Sequence, residues 1–121
     1  MAKKRYIVEF GTGVDLHGMN VTKAAKKALR DAISHCCMVG LHEVGGLTNA
    51  SEQMSLDIII ATPFKEKLDV KEALTGLPAY KNMNVTVVDG GLTVEGMYAP
   101  EMGEGKTITL VNAAITVWLD V

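Results

Sequence analysis

The chain has 121 residues, of which 48% are hydrophobic, and its net charge is −2 at neutral pH. This length suits a single domain over residues 1–121, and the hydrophobic content excludes an intrinsically disordered chain. The mixed charges exclude the basic surface that nucleic-acid binding requires. The apolar runs are too short for a membrane span or a signal sequence. We therefore expect a cytoplasmic domain that binds neither nucleic acids nor membranes.

The first predicted element is a β-strand over residues 4–11. Tyr6, Val8 and Phe10 alternate with Ile7, Glu9 and Gly11, a period of two that gives the strand one strongly apolar face. A glycine-rich turn is expected to follow.

The clearest pattern in the sequence predicts an amphipathic helix from Asn20, its N-cap, to about Met38, with Gly40 as the stop signal. Its apolar residues recur at spacings of three and four: Val21, Ala24, Ala25, Ala28, Leu29, Ala32, Ile33, Cys36 and Cys37. This pattern predicts that the two cysteines are free thiols in the core. The many alanines predict close packing of the helix on a neighbouring element.

The middle of the chain is predicted to contain a loop, a central strand and a short helix. The loop covers residues 41–53 and the strand covers 54–62, where nearly continuous apolar residues indicate burial on both faces. Asp69 and Glu72 form a capping-box pattern that predicts the start of a short helix.

The C-terminal part is predicted to be mostly β-structure. Residues 85–88 and 92–95 flank Asp89-Gly90-Gly91, which predicts a hairpin. A polar, glycine-rich loop is expected at 99–105. The last strand is predicted at 108–121, with a bend near Asn112.

The predicted order is β-α-β-α-β-β-β, which indicates an α+β fold. We expect a two-layer sandwich, in which helices cover one face of a mixed sheet. Two helices leave the other face uncovered. The expected partner for that face is a second copy of the chain, in a homo-oligomer.

The candidate functional site is the octet Gly11-Thr12-Gly13-Val14-Asp15-Leu16-His17-Gly18. In extended backbone, Asp15 and His17 project to the same side and could bind a divalent metal such as zinc, or act as catalytic acid and base. Gly11, Gly13 and Gly18 would let a ligand approach the backbone. The helix N-terminus at Asn20 would attract an anionic small molecule.

The same residues have a purely structural interpretation. Asp15 could cap a turn, His17 could bond to a carbonyl group, and the glycines could form a tight corner. Spacing alone leaves both interpretations open.

The octet resembles the G-x-G-x-D-x-H-G signature of a family of short conserved hypothetical proteins from bacteria and plants. The similarity extends to Arg30-Asp31-Ala32 and Asn112-Ala113-Ala114. The resemblance implies that Gly11, Gly13, Asp15, His17 and Gly18 match the family motif. It also implies a fold like the C-terminal domain of tubulin, and it implies no activity.

A weaker resemblance, limited to Gly-x-Asp-x-His, is to methylerythritol cyclodiphosphate synthase. That resemblance implies that Asp15 and His17 are zinc ligands, with a further histidine as the third. A helix from Asn20 to Met38 would keep His35 and His42 away from the octet of the same chain. They could complete the site only from another subunit. Glu9, Asp57 and Glu95 are the alternative partners from within the chain.

Two functional hypotheses follow from the sequence. The first is a homo-oligomeric enzyme or small-molecule-binding protein with its site at the octet. The second is a self-assembling structural or regulatory domain, in which Asp15 and His17 only fix a corner of the fold.

Overall fold

The computed structural model describes residues 2–103 and 105–121, and it shows helices packed on one face of a five-stranded mixed sheet. This architecture confirms the predicted α+β class. Among the described residues, no helix combines the length and the apolar character needed to cross a membrane.

Strand β5 is the centre of the sheet. The five strands are β1 (Lys3–Asp15), β2 (Met54–Thr62), β3 (Met83–Asp89), β4 (Leu92–Glu95) and β5 (Thr107–Asp120). On one side, β5 pairs with β1 along nearly its whole length. On the other side, it pairs antiparallel first with β4 and then with β2, while β3 lies parallel to β2 at the sheet edge.

The predicted hairpin around Asp89-Gly90-Gly91 is wrong. Strand β3 pairs with β2, and β4 pairs with β5. At Gly90 and Gly91 the chain crosses from the edge of the sheet to β5. There β4 takes the place beside β5 that β2 occupies up to its C-terminal end. Gly91 has a φ of +67° and lies so close to the Leu110 carbonyl that a side chain would collide with it. Glycines therefore serve here to change the pairing partner.

Helix α1 (Val21–Ile33) begins as predicted and ends earlier than predicted. The Asn20 side chain accepts a hydrogen bond from Lys23 N at 3.0 Å, which confirms the N-cap. The helix stops at Ser34, whose hydroxyl donates to Asp31 O at 2.9 Å. The predicted end near Met38 is wrong. Cys36 and Cys37 are exposed, so their predicted place in the core is wrong as well.

The remaining helices are single turns. They are α2 (Gly40–Glu43), α3 (Ala50–Gln53) and α4 (Val70–Ala73), and α4 is capped by Asp69 as predicted. Two of these turns, α2 and α3, lie within the predicted loop 41–53. Their addition leaves the predicted order of the larger elements unchanged.

The closest packing in the fold joins β1 to α1 through small residues. A Cβ atom on Gly11 would lie 2.5 Å from Ala32 N, and one on Gly13 would lie 2.5 Å from Ala28 N. Ala24, Ala28 and Ala32 are fully or almost fully buried at this contact. Glycine on the strand and alanine on the helix let the two backbones approach directly.

Among the residues that the structure describes, no helix covers the other face of the sheet, which we call the open face. It carries exposed apolar side chains from four strands: Val8, Phe10, Ile59, Val88, Leu92 and Val94. On β1, the alternation is the reverse of an ordinary amphipathic strand. Phe10 is 72% exposed, while Glu9 faces the helix layer and is only 7% exposed.

Candidate functional site

The octet does not form a single loop. Strand β1 continues through Gly11 and Gly13 to Asp15, so the predicted turn directly after Gly11 is wrong. Gly11 and Gly13 face α1, where helix backbone fills the space that a ligand would need. Of the three glycines, only Gly18 lies in the connection to α1, and a Cβ atom there would lie 3.0 Å from Asp15 Oδ2.

Asp15 holds the loop between β1 and α1. Its Oδ2 accepts hydrogen bonds from Gly18 N at 3.1 Å and Asn20 N at 2.9 Å. Asp15 is buried, with 7% of the residue exposed. A carboxylate directly before a helix also interacts favourably with the helix dipole. Asp15 thus places a negative charge where an anionic ligand would otherwise sit.

His17 lies under the segment that contains Gly103 and Gly105. Its carbonyl oxygen accepts a hydrogen bond from Gly105 N at 2.8 Å. A Cβ atom on Gly103 would come within 2.8 Å of the His17 Cβ. The His17 Nδ1 is buried and has no hydrogen-bond partner within the described residues. Glu104, in the predicted loop 99–105, lies outside the described residues. Since a buried ring nitrogen normally has a partner, Nδ1 is the least explained atom of the octet.

The surface beside the helix N-terminus carries charges of both signs. A shallow depression of about 420 Å³ is lined there by Asn20, Lys23, Lys26, Asp69 and Glu72, among others. The first turn of α1 contains no acidic residue, which favours an anion. The acidic side chains of Asp69 and Glu72, which also line the depression, would repel an anion. The Asn20 side chain already accepts the capping hydrogen bond from Lys23 N.

The structure brings no third metal ligand to Asp15 and His17. Within residues 2–103 and 105–121, no three His, Cys, Asp or Glu side chains are close enough to share a metal ion. His35 and His42 lie beyond the C-terminal end of α1, and α1 is about 20 Å long at 1.5 Å per residue. His35 contacts Asp31 Oδ1 at 3.0 Å, and His42 contacts Leu47 O at 2.9 Å.

The three strand carboxylates considered from the sequence have other neighbours. Asp57 accepts a hydrogen bond from Trp118 Nε1 at 2.9 Å, and Glu95 pairs with Lys106 Nζ at 2.9 Å. Glu9 receives a long contact of 3.7 Å from Cys36 Sγ. Desolvation, followed by the negative charge of Glu9, raises the pKa of the Cys36 thiol. Cys36 is therefore a poor candidate for a thiolate ligand or nucleophile near neutral pH.

Glu9 is the residue whose importance the sequence analysis missed. The sequence indicates Glu9 only as one of three possible partners of Asp15 and His17, yet its Oε1 is buried and has no partner within the described residues. One signal could have found it. Glu9 has the same strand parity as Gly11 and Gly13, so glycines that pack against a helix place Glu9 on the buried face as well.

A protein-family model matches almost the whole chain. The model of the family described as "Conserved hypothetical protein (Lin0512_fam)" matches residues 5–117. The chain therefore belongs to this family. A comparison with functionally curated proteins gave no match.

A solved structure shares the complete fold. It is an FtsZ-like protein of unknown function from Nostoc punctiforme, 36% identical, with a TM-score of 0.85. The alignment covers 100% of this chain and 99% of that one. This similarity confirms the predicted tubulin-like fold.

Proposed function

We propose that this protein is a self-assembling domain whose copies pair through their open faces. The observation that carries the proposal is the cluster of exposed apolar side chains on that face. Exposed apolar patches on a single chain often mark interfaces.

The charges of the open face suit a second copy of the same chain. Ionic groups are grouped at one end, around Trp118. Lys3 and Arg5 lie over its ring at 5.2 and 6.0 Å, and Asp57 accepts its indole N–H. The centre, around Phe10 and Ile59, is uncharged, since the adjacent positions of β1 and β5 on this face are Val8, Thr12, Asn112, Ala114 and Thr116. In a two-fold dimer the same patch meets itself, so an uncharged centre pairs without repulsion.

Replacing Phe10 with aspartate tests this proposal. Two facing aspartates would lose their hydration and repel each other, so we expect self-association to weaken at least 100-fold. Sedimentation velocity over a range of protein concentrations measures the change. Val44→Asp is the matched control, because Val44 is 88% exposed and lies off the sheet. A wild-type protein that stays monomeric, or a Phe10→Asp variant that associates like Val44→Asp, would refute the proposal.

A second candidate function is binding of a small ligand at the octet. The buried Nδ1 of His17, which has no hydrogen-bond partner within residues 2–103 and 105–121, supports it. Asp15 and His17 would supply two ligands for a divalent metal such as zinc, and a third would have to come from another subunit or from the bound molecule. Because Oδ2 of Asp15 already accepts two backbone hydrogen bonds, Oδ1 is the oxygen left for such a ligand.

His17→Ala separates the two candidates. If the octet binds a ligand, Zn²⁺ or inorganic phosphate should raise the melting temperature of the wild type and not that of His17→Ala. A ligand present at 100 times its dissociation constant raises the free energy of unfolding by about 2.7 kcal/mol. His35→Ala, which removes an exposed histidine, is the control. Equal responses of the two variants, or no response of the wild type, would exclude these ligands at the octet.

A further inference from the structure

A second pocket lies at the C-terminal end of α1, whereas Asp15 and His17 precede its N-terminal end. It has a volume of about 240 Å³ and is enclosed by the C-terminal end of α1, the helix-side face of β2 and β5, and the segment 78–80. Its lining is apolar apart from Glu9 and Tyr80: Ile33, Met38, Met54, Leu56, Pro78, Ile115 and Val117. Small-molecule sites commonly combine an apolar lining with a few polar groups.

Glu9 lies in this pocket without a neighbouring positive charge among the lining residues. The residue is 7% exposed, and none of the residues that line the pocket is basic. Its Oε2 has only the long contact with Cys36 Sγ, and its Oε1 has no partner within the described residues. Burying a carboxylate without a cation or several hydrogen-bond donors is unfavourable. The fold would therefore be more stable with an apolar or amide side chain here.

Tyr80 adds a hydrogen-bond donor at the pocket wall. Desolvation, followed by the negative charge of Glu9, raises the pKa of the Tyr80 hydroxyl above its usual value. Tyr80 therefore keeps its proton at neutral pH. The pocket thus offers a carboxylate acceptor, a phenol and apolar walls.

We propose that this pocket binds a small apolar molecule bearing one ammonium group, with the ammonium hydrogen-bonded to Glu9. The cation would supply both the charge and the donors that Glu9 lacks in the free protein, and the hydrocarbon part would fill the space between Ile33 and Ile115. Ammonium–carboxylate hydrogen bonds are among the stronger ones in proteins. The pocket is distinct from the candidate site at Asp15 and His17, since the length of α1 separates the two, and it does not depend on self-association.

Amide NMR titration of the full chain with benzylammonium tests the proposal, with n-butylammonium as a smaller probe and benzyl alcohol as the neutral analogue. We expect saturable shifts around Glu9, Ile33 and Ile115, and at least tenfold weaker binding of benzyl alcohol. Glu9→Gln should bind benzylammonium at least tenfold more weakly. It should also melt at the same or a higher temperature than the wild type, because it buries no charge. Glu66→Gln, at an exposed glutamate, should bind like the wild type.

Three results would overturn the proposal. They are no binding of either ammonium probe, shifts that map elsewhere, and equal affinity of Glu9→Gln and Glu66→Gln. If Glu9→Gln does not fold, the test is the comparison of benzylammonium with benzyl alcohol binding to the wild-type protein. Equal binding of benzylammonium and benzyl alcohol then overturns the role of Glu9.

Discussion

Gly13→Ala is expected to destabilise the fold by about 3 kcal/mol, at the upper end of the usual cost of overpacking. The new methyl group would collide with the Ala24 carbonyl oxygen and lie 2.5 Å from Ala28 N. Both are backbone atoms of α1, which cannot move aside as a flexible side chain can. The helix would have to shift away from the sheet and lose contacts along its buried alanines. Chemical denaturation measures the loss.

Gly46→Ala is the matched control for this substitution. Gly46 has a φ of +71°, and a Cβ atom there would meet nothing within 4 Å. It should cost only the backbone strain of a positive φ, about 1 kcal/mol. If Gly13→Ala costs no more than Gly46→Ala, the close contact between β1 and α1 does not exist in solution.

Asp15→Ala is expected to cost about 3 kcal/mol, because it removes the acceptor of two hydrogen bonds made by a charged group. Gly18 N and Asn20 N would lose their partner, and the start of α1 would lose a favourable charge. Asp15→Asn keeps an oxygen acceptor and should cost about half as much. Thermal and chemical denaturation of both variants measure the difference.

Asp120→Ala serves as the control, since Asp120 is exposed at the end of β5. A stability of Asp15→Ala close to that of Asp120→Ala would show that the loop is held by other contacts. Asp15 would then be free to bind a ligand. The structural interpretation of the octet depends on this measurement.

Several elements were predictable because their signals are local. The bounds of β2 match the predicted 54–62, since an apolar run ends there at Pro63. The start of α1 follows from Asn20, whose side chain bonds three residues ahead. The predicted end of α1 was wrong because Cys36 and Cys37 continue the apolar periodicity of the sequence beyond Ile33, the last residue of the helix. Only the bonds of Ser34 to Asp31 show where the helix stops.

The candidate site was predicted less well because its residues act over long distances. Glycines in a loop and glycines under a helix look alike in sequence. Gly11 and Gly13 acquire their role only where α1 crosses β1. The Asp89-Gly90-Gly91 segment likewise has the composition of a hairpin, and its pairing depends on where β2 ends beside β5.

The sequence by itself determined the α+β class, the bounds of β2, the start of the main helix and the octet motif, because periodicity and capping act within a few residues. The tertiary structure decided what the octet does. It divided the octet into a strand that packs under α1, a carboxylate that fixes the next loop and a histidine whose Nδ1 is buried without a partner in the part of the chain that the structure describes. It also buried Glu9 and exposed Phe10, because only the position of α1 determines which face of β1 is inside.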